Sequence, residues 1–144
     1  SVYDSSSVSA IGIAAHEAGH AVQYAQSYAP MKVRAAIIPV TQIGSNLAFP
    51  LVLLGIIFSF YPLTYAGLLL FSTVVIFQLV TLPVEYNAST RALESLRATS
   101  RFSPEDLGGV SSVLRAAALT YLAALAVSVG NMARLITLAN RRRK

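Results

Sequence analysis

Cysteine is absent from the chain. No disulfide framework is therefore possible, and any metal must be held by nitrogen and oxygen. Histidine is scarce too, with two among 144 residues. Charge is the third shortage: 12% of the residues are Asp, Glu, Lys or Arg, where a soluble domain carries about 25%. From Ala35 to Val84, a run of 50 residues, there is no charged side chain. A bilayer-spanning helix needs about 20 apolar residues, so this run holds two spans and a turn. With 55% hydrophobic residues, the composition is that of a membrane protein.

Acidic residues number six against eleven basic ones, for a net charge of +5. The placement of that charge argues against nucleic acid as a partner. Four of the eleven form Arg141-Arg142-Arg143-Lys144, next to an apolar run. Such a cluster reads as a topology anchor facing anionic lipid headgroups. The length suits one modest core, and a single membrane-embedded domain over 1–144 is expected. Ser1-Val2-Tyr3 reads like the middle of something, so a partial chain is expected.

The fold class these patterns predict is all-α, with about three transmembrane or membrane-embedded helices. Asp4 to Ser7 offers N-cap candidates, and Val8 to Tyr28 reads as a helix rich in small residues, stopped by Pro30. Met31 to Val40 is ambiguous: Lys32 and Arg34 alternate with apolar neighbours, which allows a short edge strand. Leu47–Phe60 and Thr64–Leu82 read as spans joined by a turn at Tyr61-Pro62. A more polar helix follows Pro83, over 84–98. Ser103-Pro104-Glu105-Asp106 is a helix start, with Ser as N-cap, Pro at the first helical position and two acids in the first turn. The uncharged run Ala116–Ala133 is long enough for a third span. By region, 1–34 carries the active-site helix, 38–82 a membrane hairpin, 84–98 the third-ligand helix and 104–140 the C-terminal helix or helices. No internal repeat is visible.

The chemistry concentrates in His16-Glu17-Ala18-Gly19-His20. Helix positions four apart lie on one face about a turn apart, so both imidazoles can reach one metal. Glu17, next to the first ligand, is placed to take a proton from a water at that metal. Two histidines on an apolar helix could simply be satisfied core residues, but both histidines of the chain fall in this pattern with a glutamate between them. A carboxylate inside an apolar helix also needs a reason to be there. Catalytic zinc usually takes three protein ligands and leaves one position open, so the third ligand must be a carboxylate. Asp4 reads as a cap, Glu105 and Asp106 as helix-start acids, and Glu94 as an ion-pair partner of Arg97. Glu85, at the mouth of the second span, is the candidate that remains; the bland alternative is an interfacial charge that ends a span. Ser89, four residues on, can orient a ligand, and Asn87, Arg91 and Tyr121 are further polar candidates around the site or at an oxyanion.

The segment Ala10 to Gln23, around His16-Glu17-Ala18-Gly19-His20, resembles the signature of the YugP-like membrane zinc metallopeptidases. Leu79-Val80-Thr81-Leu82-Pro83-Val84-Glu85-Tyr86-Asn87-Ala88-Ser89 and Ala116-Ala117-Ala118-Leu119-Thr120-Tyr121 resemble that family's other blocks. The resemblance implies a zinc peptidase without naming a substrate, and an additional N-terminal membrane helix preceding this chain. Ser5-Ser6 departs from the family's usual Gly-Arg. More distantly, the arrangement is similar to the HtpX and CAAX prenyl protease gluzincins, where a membrane hairpin separates the two-histidine helix from the glutamate helix. That group carries an aspartate four residues beyond its glutamate ligand, where this chain has Ser89.

Together these readings predict a zinc-dependent endopeptidase of the membrane, with His16, His20 and Glu85 on the metal and Glu17 as general base. Its substrates would be membrane or membrane-proximal proteins. Under the positive-inside rule Lys32, Arg34, Arg91, Arg97, Arg101 and Arg115 compete with Arg134 and Arg141 to Lys144 on the opposite face, and the reading adopted is a cytoplasmic active site in a multi-pass, bacterial-type plasma membrane protein. A rival is a non-catalytic membrane scaffold keeping a structural zinc, for which Glu17 would be unnecessary. A transporter built around Gln42, Asn46, Gln78 and Asn131 is a third class, disfavoured by few spans and no inverted repeat.

Overall fold

A computed structural model describes residues 2–141, with side chains from residue 8. It is all-α, with helices α1 (Val2–Ala25), α2 (Ala29–Ile57), α3 (Tyr61–Ala98) and α4 (Pro104–Arg141). Asp4 to Ser7 therefore do not cap α1, which is already helical at Val2. The side chains of Asp4, Ser5, Ser6, Arg142, Arg143 and Lys144 lie outside the described residues.

Three turns share one device. Ser27, Ser59 and Ser100 take left-handed backbone angles, with φ of 55°, 53° and 54°. At the first, the Tyr28 N–H reaches back to the Gln23 carbonyl at 2.9 Å and the Ser27 N–H to Tyr24 at 3.0 Å. At the second, the Phe60 N–H bonds Gly55 at 2.8 Å and the Ser59 N–H bonds Ile56 at 3.3 Å. These bonds satisfy carbonyls that a helix end leaves open. A proline then opens each next helix: Pro30 and Pro62 in the first turns of α2 and α3, Pro104 at the first position of α4. There the missing N–H costs nothing. Two expectations change accordingly. Pro30 starts a helix rather than stopping one, and the hairpin turns at Phe58 to Phe60 rather than at Tyr61-Pro62.

The expected strand at Met31 to Val40 is helical, inside α2. A few alternating residues carry little weight with no partner strand among the described residues to complete a ladder, and the side chain of Arg34 lies over the Phe77 ring at 6.0 Å. Nor does Pro83 begin a new helix, since α3 passes through it unbroken. The Ser103 start is as predicted. Its hydroxyl accepts the Asp106 N–H at 3.1 Å, and the Asp106 carboxylate accepts the Ser103 N–H at 3.1 Å. This is a capping box with aspartate in the acidic position.

Helices α2, α3 and α4 are each long and apolar enough to cross a membrane. Many of their large apolar side chains are exposed, such as Phe49, Leu69, Leu79, Leu119 and Val127. Such a surface suits acyl chains rather than water.

The chain forms two compact units, Ser1–Lys32 with Thr81–Leu122 and Val33–Val80 with Ala123–Lys144. In the second, the hairpin of α2 and α3 closes through glycines. A Cβ on Gly44 would stand 2.6 Å from the Leu70 carbonyl oxygen, and one on Gly67 would stand 2.8 Å from that of Ala48. Small residues at such crossings give membrane helices the close contact that replaces a hydrophobic drive.

The first unit packs α1 against α3 and the start of α4. Ala92, Val110 and Leu114 form its buried core, joined by Val8, Ile11 and Ala15 from α1. α1 comes close to α3 at Gly19, where an added Cβ would lie 2.5 Å from the Ala88 carbonyl oxygen. Backbone, unlike a side-chain tip, cannot swing aside. Gly19→Ala should therefore force the helices apart and destabilise the protein by about 1–3 kcal/mol. At Gly12 an added Cβ would meet Val110 at an ordinary 3.5 Å. Gly12→Ala should be neutral or gain up to about 1 kcal/mol of helix propensity. Unfolding midpoints of the two variants in detergent test this, and equal stability would refute the contact.

Candidate metal centre

On α1, His16, Gly19, His20 and Gln23 follow one another at intervals of three and one, so they share one face. That face meets Val84, Glu85, Ala88 and Ser89 of α3. Glu85 is 3% exposed, and one carboxylate oxygen, Oε2, receives both imidazoles. His16 Nε2 lies 3.1 Å from it and His20 Nε2 3.3 Å. The two rings stand nearly perpendicular, at 86°, with centroids 4.6 Å apart.

The hydrogen bonds behind the rings fix what His20 presents. The Val84 carbonyl can only accept, so the Gln23 amide nitrogen must face it, at 2.8 Å. That nitrogen also donates to Asn87 Oδ1 at 2.9 Å. Arg91 holds the Asn87 oxygen in this orientation, donating from Nε at 2.7 Å. The guanidinium also donates to Gln26 Oε1 at 2.6 Å and lies over the Tyr28 ring at 5.9 Å. Only the oxygen of Gln23 is left for His20 Nδ1, at 2.9 Å. Because that oxygen accepts, Nδ1 carries the hydrogen. The neutral form of the ring therefore has its Nε2 lone pair on the Glu85 side. Behind His16 stands the Ser89 hydroxyl, 3.1 Å from Nδ1; a hydroxyl donates or accepts, so it orients this ring without selecting its tautomer.

Electron-pair donors gathered in this way suit a cation. The ligand atoms of His16, His20 and Glu85 all lie within 4.8 Å of one another, a group that can hold a metal ion. Tetrahedral zinc with bonds of about 2.0–2.1 Å sets its donors roughly 3.3–3.4 Å apart. The two nitrogen–oxygen separations, 3.1 and 3.3 Å, are close to that spacing. Two imidazoles and a carboxylate are also a donor set that zinc accepts.

Of the other carboxylates considered as a third ligand, Glu94 and Glu105 are exposed and Asp106 is engaged with Ser103. None joins the group among the described residues. Glu17 is exposed on α1, so the expectation that its carboxylate sits inside an apolar surround is corrected. One helical step turns it about 100° from His16, away from the α3 seam. Tyr121 is half-buried on α4 and is not among the three grouped side chains. Asn87, Ser89 and Arg91 are brought to the site. Gln23, fully buried, was missed; its signal is an uncharged polar side chain seven residues after His16 and three after His20, on the same face.

The family described as "Putative neutral zinc metallopeptidase" matches residues 1–140. The chain belongs to that family. It is 43% identical over 135 residues to the "Putative membrane protease YugP" of Bacillus subtilis (strain 168), covering 94% of this chain and 60% of that protein. The chain thus spans about three fifths of the length of this relative. No solved structure matches it. The resemblance read from the sequence is borne out; zinc is the metal in the family's description, and His16, His20 and Glu85 form a group that can hold a metal ion.

His20→Ala and Glu85→Ala should each abolish stoichiometric zinc in the purified protein, and Glu94→Ala should keep it. Elemental analysis against protein concentration decides, and the opposite pattern for the two glutamates would move the third ligand to Glu94. Gln23→Leu removes the group that orients His20. Such a change should weaken zinc binding about 10–100-fold, measured by competition with a chelator.

Proposed function

We propose that the chain is the metal-bearing part of a membrane-embedded zinc metalloendopeptidase of the gluzincin type. His16, His20 and Glu85 would hold the metal. The observation that carries this reading is the convergence of two imidazole nitrogens on the buried Glu85 oxygen, with Gln23 presenting the His20 lone pair. A zinc bound there supplies a Lewis acid that acidifies water toward pKa of about 7 and polarises a peptide carbonyl.

The remaining steps belong to side chains of the chain itself. Glu17 takes a proton from the attacking water as the water oxygen bonds to the carbonyl carbon. It returns that proton to the amide nitrogen as the carbon–nitrogen bond breaks. Its exposure on α1 suits this role, since a group that exchanges protons with a substrate has to be reachable. Gln23 and Ser89 keep the imidazoles aimed, and Arg91 and Asn87 keep Gln23 in place. The three apolar helices support substrates that are membrane or membrane-proximal proteins. The reading extends to a multi-pass plasma membrane protein with its active site on the cytoplasmic face.

Glu17→Gln separates this reading from a scaffold that merely retains zinc. The substitution is nearly isosteric and leaves the three donors untouched. Zinc content and unfolding midpoint should be unchanged, and cleavage of a membrane-protein substrate should fall by about 10²–10⁴. Equal cleavage by both proteins would remove Glu17 from the mechanism. Absence of cleavage by the wild type across a broad substrate panel would favour the scaffold.

A further inference from the structure

A hydroxyl on a membrane helix is commonly satisfied by bonding back to a carbonyl three or four residues earlier on its own helix. This chain uses that route repeatedly. Thr73 donates to the Leu70 carbonyl at 2.7 Å, Thr90 to Tyr86 at 3.0 Å, Thr120 to Ala117 at 2.7 Å and Thr137 to Ala133 at 2.8 Å. Thr81 of α3 does not. It is 2% exposed, and its Oγ1 meets no hydrogen-bond partner. A polar atom buried in this way gives up its hydration and gains no bond in exchange.

Thr81 stands one turn before Glu85 on α3, and both are buried in the same compact unit. Residues four apart on a helix are neighbours on its surface. Helical side chains also lean toward the N-terminus, which carries that of Glu85 back over Thr81. Oε2 of Glu85 faces both imidazoles, so it is the oxygen that would meet a metal. A carboxylate offers about four acceptor sites over its two oxygens, so sites remain for a further donor. At 3% exposure little water reaches them.

We propose that Thr81 is a positioning residue of the metal centre: in the metal-loaded protein its hydroxyl turns to the Glu85 carboxylate, donates to it and holds the ligand oxygen aimed at the metal. That role rests on Glu85 serving as the third ligand. Glutamate has several turning bonds, and a donor that fixes them reduces the ordering that metal binding must otherwise impose. The hydroxyl thus destabilises the empty protein and strengthens metal binding.

Thr81→Val keeps the shape of the side chain and deletes the hydroxyl, so two measurements should move in opposite directions. In metal-free protein in detergent the unfolding midpoint should shift upward, because an unsatisfied group is gone. Zinc affinity, from competition with a chelator, should fall about 10–100-fold. Added zinc should therefore raise the midpoint less than it does in wild type. Thr81→Ser, which keeps the hydroxyl, should recover most of the affinity. Thr41→Val is the control: that hydroxyl is also buried and without a partner, at 9% exposure, but it lies in the other unit. This change should shift the midpoint upward and leave zinc affinity as it is. Equal zinc affinity in wild type and Thr81→Val would overturn the positioning role. So would a loss that Thr81→Ser does not recover, or one that Thr41→Val reproduces. Glu85→Ala tells this failure from failure of the ligand set. Zinc lost in Glu85→Ala but held at full affinity in Thr81→Val removes Thr81 alone, whereas zinc kept in Glu85→Ala removes both.

Discussion

How near α1 can come to α3 decides whether this chain has a metal centre at all. Packed helices ordinarily stand about 8–10 Å apart, depending on the side chains between them. Here Gly19 lies against the Ala88 carbonyl, so almost nothing intervenes. That closeness lets His16 and His20 reach Glu85 Oε2. It also buries the carboxylate, which is costly unless a cation or donor meets it. The same glycine therefore brings the donors together and removes the water that would otherwise satisfy them.

Around that seam the polar groups divide by exposure. Gln23, Glu85 and the inner edges of the imidazoles face inward, held by bonds that end on the Val84 carbonyl and the Arg91 guanidinium. Both ends of this chain of bonds are unambiguous, one an acceptor only and the other a donor only, so every amide between them has a single orientation. Glu17 faces outward and takes no part in it. The holding groups are rigid by construction, and the group proposed to move protons is free to meet a substrate.

Much of this was legible in the residues alone. The i, i+4 histidines, the uncharged run from Ala35 to Val84 and the lone costly glutamate at Glu85 each carry a physical demand that few arrangements meet. What escaped has equally physical causes. Gln23 is uncharged, so its burial raises no alarm in a sequence, yet in three dimensions it is the side chain that sets the His20 tautomer. Pro83 looked like a boundary because proline removes one helical bond, but a long apolar helix loses only that bond and continues. The alternation around Lys32 and Arg34 imitated a strand over too few residues to matter. Glu17 was expected to be enclosed because its neighbours in sequence are apolar, whereas its direction depends on which arc of α1 touches α3.

The three turn serines deserve a separate reading from the site. Ser27, Ser59 and Ser100 are exposed and hold a handedness of backbone that most residues resist, at a cost of roughly 1–2 kcal/mol, and β-branched residues resist it more. In a survey of tolerated substitutions they would stand out as solvent-facing positions that reject valine and isoleucine but accept glycine or asparagine. Such a signature resembles that of a binding surface. Its selectivity is for chirality alone: what these positions discriminate among is the sign of a torsion angle, and no ligand is involved.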